Sequence, residues 1–210
     1  MNQQGVWDNI ASEWHKFKTS PSIHAQNFLK KQKGRVLDLG SGSGRNILGL
    51  KLKAKIYMVD FSKEMLKRAE KRAKEQKIKA EFKISDSAKT DYPDEFFDGA
   101  ICIAVLHCIE TAEKREKTIK ELHRVLKKGG KALIEVWNKN SKRFKNAPKE
   151  KFIAWRNKGK RYYYLYDEKE IYGLFKKQGF RIKQKLGHKV NISFVVQKQD
   201  RLKLKGAQCS

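Results

Sequence analysis

The stretch that most limits what this chain can fold into is Arg35-Val36-Leu37-Asp38-Leu39-Gly40-Ser41-Gly42-Ser43-Gly44-Arg45-Asn46. Val36, Leu37 and Leu39 read as a buried parallel strand, and the alternating glycines as a tight turn. Asn46-Ile47-Leu48 then resumes an apolar pattern suited to a helix N-terminus. Without a Cβ, the glycines at 40, 42 and 44 let a ligand approach the main chain closely. The spacing excludes a dinucleotide fingerprint. Gly-x-Gly-x-x-Gly/Ala counted from Gly40 ends on Arg45, and counted from Gly42 on Ile47. Asp38, just ahead of the turn, would repel a phosphate and suits a cationic or hydroxyl-rich ligand.

Two further strands end on acids. Lys55 to Val59 runs into Asp60-Phe61, where a carboxylate can accept both hydroxyls of a ribose. Phe82-Lys83-Ile84-Ser85 runs into Asp86-Ser87. Each acid alone reads equally as a solvated strand end or a helix cap. Three at successive strand ends favour a shared ligand beyond the carboxyl edge of an α/β sheet. The form Asp-x-Gly-x-Gly-x-Gly resembles the first motif of the class I S-adenosylmethionine-dependent methyltransferases. That resemblance implies an α/β, Rossmann-like fold: a mostly parallel seven-stranded sheet, helices on both faces and a C-terminal antiparallel hairpin. It also implies S-adenosyl-L-methionine as cofactor. The cofactor site would draw on Asp38, Gly40, Ser41, Gly42, Gly44 and Asn46, then Asp60, Phe61, Asp86 and Ser87, and Ala104 at the end of strand four.

Val6, Trp7, Ile10, Ala11, Trp14 and Phe17 recur at helical spacing, so residues 1–33 are expected to form a helical cap, which in this class commonly roofs the active site. Ser62, Thr111 and Asp167 are expected N-caps. Residues 96–106 form an apolar central strand ending at His107-Cys108, and 131–137 a fifth strand. Residues 79–85 belong at the sheet edge, and 180–186 with 192–196 alternate as the closing hairpin. The expectation is one domain over 1–198, with 199–210 a basic, frayed tail.

A net charge of +26 in 210 residues implies a polyanionic partner such as nucleic acid. Residues 138–160, where regular patterning breaks down, concentrate that charge: Lys and Arg surround Phe144, Phe152 and Trp155, with Glu150 the only acid. Phosphate contact with base stacking needs this mixture, and a solvated loop is the plain alternative. Cys102, Cys108 and Cys209 form no Cys-x-x-Cys pair and no zinc-ligand array, so no metal is expected and the thiols suit a reducing compartment. With no signal-peptide layout and no long apolar run, a cytoplasmic location is expected.

Together these residues resemble a particular group, the tRNA wobble-uridine methyltransferases that esterify 5-carboxymethyluridine in the anticodon. The resemblance rests on Trp7-Asp8-x-Ile10-Ala11, Ile103-Ala104-Val105-Leu106-His107, Gly129-Gly130-Lys131-Ala132-Leu133-Ile134 with Trp137, and Arg161-Tyr162-Tyr163 running into Leu165-Tyr166 and Glu170. It implies tRNA as substrate and a small zinc-ribbon activator as partner, for which the edge strand with Ala80, Phe82 and Ile84 is the candidate dock. A carboxylate acceptor needs a cationic or hydrogen-bonding clamp, for which Arg161, His107 and Lys18 are the candidates in that order. Arg143, Trp137, Tyr163 and Trp155 are candidate RNA contacts; Tyr162, Tyr163 and Tyr166 are expected to alternate in direction on a strand, one side packed in the core and the other stacking on a flipped base. The group usually has a second histidine where Cys108 stands and a histidine at Tyr164.

Overall fold

The computed structural model describes residues 2–187 and 190–199; apart from Gln199, the tail at 199–210 lies outside the described residues. In chain order the elements are α1 (Gln3–Phe17), α2 (Ile23–Leu29), β1 (Arg35–Leu39), β2 (Lys55–Asp60), α3 (Lys63–Glu75), β3 (Ala80–Ile84) and β4 (Phe97–Ile103). Then follow α4 (Ala112–Val125), β5 (Leu126–Trp137), β6 (Glu150–Ala154), β7 (Lys160–Tyr164), α5 (Glu168–Lys177), β8 (Phe180–Leu186) and β9 (Asn191–Lys198). Seven strands make one sheet in the order β3-β2-β1-β4-β5-β9-β8. Its strands run parallel from β3 to β5, and β9 enters antiparallel between β5 and β8. The expected α/β class, closing hairpin and edge position of β3 are all present.

The apolar strands bury both faces. One core holds Leu37, Tyr57, Phe97 and Ile134 under α4 and α5; the other holds Val36, Ile56, Met58 and Ile101 under α2 and α3. Ser62, Thr111 and Asp167 each cap their helix by accepting an N–H, from Met65, Lys114 and Glu170. The chain reverses direction of strand placement after β3, so β1 lies between β2 and β4 with their carboxyl ends open above it. Ligands bind at such a switch point. Among the described residues, no helix is long and apolar enough to cross a membrane.

Three local expectations are corrected. No α-helix follows the glycine turn: a single 3₁₀ turn at Arg45–Ile47 does, because Leu48 takes an extended ψ of 130° and Gly49 a φ of 69° that carry the chain directly toward β2. The irregular stretch ends in structure: β6 pairs antiparallel with β7, Lys151 opposite Tyr163, as a separate two-stranded sheet. The tyrosines of β7 do not alternate between buried and exposed. Tyr162, Tyr163 and Tyr164 are all buried, since the strand lies against α1 and the Leu106–Cys108 turn.

Candidate active site

A cavity of about 380 Å³ opens where the carboxyl ends of β1, β2, β3 and β4 meet. Its floor is the glycine turn, with φ of 70°, 53° and 72° at Gly40, Gly42 and Gly44. A Cβ on Gly40 would come within 2.3 Å of a Val105 methyl and one on Gly44 within 3.2 Å of Ala69, whereas one on Gly42 would meet nothing within 4 Å. Gly42 therefore offers its bare main chain to a ligand, while Gly44 seats the turn on α3 behind the lining. Ser41 and Asn46 complete the floor, and the Asn46 side chain accepts the Ser22 N–H at 3.2 Å.

Asp60 closes the wall beside Phe61. Its Oδ2 accepts the Gly42 N–H at 2.8 Å and its Oδ1 the Ser62 N–H at 2.9 Å, leaving acceptor capacity on both oxygens. Burial pushes this carboxyl up to about 6 against the pull of those two amides. Asp38 lies buried at the end of β1 with both oxygens unpartnered, and burial followed by the Asp60 charge pushes it up to about 7. Arg45 pulls against that rise but forms an ion pair with neither acid, so the two buried carboxyls favour a ligand that brings positive charge or hydroxyl donors. Asp86 is already engaged: it pairs with Lys114 at 2.6 Å and accepts the Ala88 N–H at 2.9 Å. Beside it the Ser87 hydroxyl lies 3.1 Å from that of Thr118. Ala104 holds a left-handed φ of 62° at the end of β4, with its N–H on the Glu135 carbonyl at 2.9 Å. Such a conformation costs on the order of 1 kcal/mol in a residue with a Cβ, and it adjoins the cavity.

Helix α1 roofs the cavity with Trp7 and Trp14. It is tied to the cofactor wall by Asp8, which accepts the Ser62 hydroxyl at 2.6 Å and the Glu64 N–H at 3.1 Å, and by Gln4, which donates to the Phe61 carbonyl at 2.8 Å.

Across that roof the chemistry reverses. Arg161, buried on β7, donates from Nη1 to the Tyr163 hydroxyl at 2.6 Å, and its Nε has no partner. Its guanidinium carbon lies 5.0 Å from the Trp14 ring, 4.9 Å from Trp155 and 6.0 Å from Trp7. No carboxylate pairs with it among the described residues. Lys18 holds its ammonium 5.5 Å from the Trp14 ring; burial, then Arg45, Arg143 and Arg161, pull it below the usual lysine range.

His107 stands behind the wall. Its Nδ1 accepts the Trp137 N–H at 3.1 Å, and burial, with Arg45 adding, pushes it down to about 3. The ring is thus neutral with its proton on Nε2, offering a donor but no charge. It stacks on Trp137 at 4.9 Å, and Trp137 stacks on Tyr163 at 4.2 Å. With 1 % of its surface exposed, Tyr163 has no free ring face for a base. Trp137 and Trp155 are half-buried, and Arg143 is exposed over Trp137 at 5.4 Å.

The family described as "Methyltransferase domain" matches residues 37–134. A tRNA (carboxymethyluridine(34)-5-O)-methyltransferase of Arabidopsis thaliana is 38 % identical over 134 residues, 63 % of this chain and 31 % of the plant protein. Its fission-yeast namesake (Schizosaccharomyces pombe) is 31 % identical over 157 residues, covering 71 % of this chain and 65 % of its own. A protein of Encephalitozoon cuniculi, whose name gives methyltransferase and no substrate, is 31 % identical over 70 % of each chain. The chain belongs to the class I S-adenosylmethionine-dependent methyltransferases. It spans less than two thirds of the length of the plant and yeast relatives. A methyltransferase structure from Methanosarcina mazei superposes with a TM-score of 0.70 at 23 % identity, over 86 % of this chain and 99 % of the other, and shows the shared fold.

The family's cofactor fits this methyltransferase site. Unpartnered Asp38, the spare acceptor capacity of Asp60 and the open space over Gly42 match a ligand with an ammonium group and vicinal hydroxyls. Of the residues the sequence pointed to, Gly40, Ser41, Gly42, Asn46, Asp60, Phe61, Asp86, Ser87 and Ala104 line the cavity, whereas Gly44 and the buried Asp38 lie behind the lining. The sequence reading missed Arg45, Cys108 and Lys114, which also line the cavity. Arg45 sits inside the glycine motif, a signal that was available; Lys114 carries none, since only the fold sets it against Asp86.

Proposed function

We propose that this methyltransferase acts on tRNA, converting a carboxymethyl group on the anticodon wobble uridine to its methyl ester. The observation that carries the reading is Arg161, a buried guanidinium with no acid beside it. A buried cation without a partner is costly, and a substrate carboxylate would supply the partner. Arginine grips a carboxylate at two points, which fixes one oxygen for attack. The names of the plant and yeast relatives support the same acceptor.

S-adenosylmethionine supplies a methyl group on a sulfonium, and the transfer is an in-line displacement. A carboxylate with a pKa of about 4 is already ionised at neutral pH, so the chain needs no general base. The groups near the acceptor agree: burial raises the Cys108 thiol far above its usual range, and His107 is neutral and occupied by Trp137. The work left to the protein is positioning. Asp60 would take the ribose hydroxyls and Asp86 the adenine amine, with the charge of Asp38 behind the glycine turn drawing the cofactor ammonium, while Trp7 and Trp14 would exclude water. Arg161 orients the acceptor. The zinc-ribbon activator belongs, on this reading, at the edge strand β3, where Ile84 is 54 % exposed.

The test is transfer of label from methyl-labelled S-adenosylmethionine into tRNA whose wobble esters have been removed with mild alkali, with and without a co-expressed zinc-ribbon protein. Alkali-labile label in the anticodon is the expected result. Alkali-stable label would move the acceptor to another atom, and label in small molecules alone would remove tRNA.

A further inference from the structure

A single carboxylate balances one charge, yet three cations gather around the rings of the acceptor side. Arg161 and Lys18 share the Trp14 ring, and Arg161 connects through Tyr163 to Trp137, over which Arg143 stands. The neighbouring acids are already taken. Glu13 accepts the Trp155 indole N–H at 2.8 Å and pairs with Arg156 at 3.2 Å and Lys158 at 2.8 Å. Glu135 accepts the Ser22 hydroxyl at 2.6 Å and, with Asp38, faces Arg45. Lys18 and Arg143 have no ion pair among the described residues.

We infer that Lys18 and Arg143 form a seat for a phosphodiester flanking the flipped nucleotide, separate from the carboxylate grip of Arg161. This inference rests on the carboxylate reading of Arg161. Lys18 is half-buried among like charges, which an arriving anion would relieve, and its compact ammonium suits a phosphate oxygen better than a two-point carboxylate grip. The seat lies at the rim, beside Phe17, 62 % exposed, and an exposed Arg143. A nucleotide inserted from a polymer leaves its linkages in such a place, whereas the carboxylate travels inward. Arg143 is held there by its own turn: Lys139 donates to the carbonyls of Phe144 at 3.4 Å and Lys145 at 2.8 Å, and Phe144 lies 5.0 Å beneath the guanidinium. The enzyme would then measure its substrate as two anions at a set separation. A free carboxylic acid supplies only one of them.

Anticodon stem-loop RNAs containing carboxymethyluridine test this, with a neutral methylphosphonate placed at either linkage flanking that nucleotide or, as a control, in the stem. For the full chain with S-adenosylmethionine, neutralising a flanking linkage is expected to raise KM about ten-fold, with little change in kcat and little response to the stem control. Lys18→Ala and Arg143→Ala should raise KM on the unmodified RNA and blunt the response to the neutral linkage, whereas Lys18→Arg should retain it. The inference is overturned if wild type shows equal KM for unmodified and flank-neutral RNAs, or if the ten-fold response survives in both alanine variants. Alkali lability of the product reports separately on the carboxylate reading, so the two failures are distinguishable.

Discussion

The two sides of the cavity under α1 are built from opposite chemistry. Toward the cofactor lie two buried acids with no ion pair among the described residues, Asp38, which feels the charge of Arg45, and Asp60, held by a glycine turn and strand ends. Toward the acceptor lie cations without acids, Arg161 and Lys18, held by indoles and a hairpin. Each half is electrostatically incomplete in the sense that suits the ligand proposed for it, a sulfonium amino acid on one side and an anion on the other. Unsatisfied charge in a buried site thus reads as a description of what binds there.

The largest effect should come from the acceptor half. Arg161→Met is expected to lower kcat/KM for tRNA by roughly a thousand-fold, about 4 kcal/mol, as for truncation of a buried charge pair. Cofactor affinity by calorimetry should stay within about two-fold of wild type, and Tm should not fall, since an unpaired buried cation is removed. A loss of cofactor binding in this variant would break the division between the halves. The mirror experiment is Asp60→Ala, which removes the acceptor of the Gly42 and Ser62 amides along with the proposed ribose contact. Cofactor affinity should drop about a hundred-fold, near 3 kcal/mol, while tRNA binding by anisotropy is retained.

A third expectation sharpens the comparison through pH. Asp60 near 6 and Asp38 near 7 are protonated in part when no cofactor is bound, and only their ionised forms attract an ammonium. Cofactor affinity should therefore rise by about ten-fold or more between pH 5.5 and 7.5, with proton release on binding. Global stability is a poorer probe, for a reason of sign. The raised acids make the fold lose stability as pH climbs from about 4 toward 7, the interval in which native carboxyls hold protons more tightly than unfolded ones. Depressed His107, at about 3, acts the other way: stability from its neutral burial grows as pH rises from that value through the ordinary histidine range. Calorimetric affinity that stays flat with pH would show that neither acid meets the cofactor's charge.

The halves also differ in how far the sequence disclosed them. The cofactor half is local: a strand, a turn whose glycines follow from close approach, and an acid at the next strand end can be read within a few dozen residues. The caps Ser62, Thr111 and Asp167 were legible for the same reason. The acceptor half is assembled from distant segments. Arg161 has its environment from Trp7 and Trp14 on α1 and Trp155 in the β6–β7 turn, which no periodicity connects. Tyr163 follows an alternating strand pattern, yet tertiary packing buries both sides of β7, so alternation did not imply exposure. His107 suggested a cationic or hydrogen-bonding clamp by type and place; burial and the Trp137 N–H on Nδ1 leave it neutral, with only an Nε2 donor to offer. The missing helix after Gly44 is a boundary effect, since Ile47-Leu48 has the pattern but Gly49 ends it within one turn.

The smallest expected effect concerns the helix that both halves share. Among the described residues Glu13 is the only carboxylate bound to the β6–β7 turn, where it holds Trp155, Arg156 and Lys158 at once. Asn9 adds a bond to the Lys158 carbonyl at 3.0 Å, and Gln3 bonds the Lys160 carbonyl at 3.2 Å and the Tyr162 N–H at 3.0 Å. The hairpin is therefore pinned to α1 along its length, and removing one pin should loosen Trp155 without freeing the strand. Glu13→Gln keeps an acceptor for the indole and gives up the charge; Glu13→Ala gives up both. KM for tRNA should rise about two-fold in the first and roughly five-fold in the second, with kcat little changed. Cofactor affinity should be unaltered in both, because α1 meets the cofactor wall through Gln4 and Asp8 instead. If Glu13→Ala weakens cofactor binding as much as it raises KM, α1 moves as one rigid lid and the two halves are mechanically coupled despite their opposite charge.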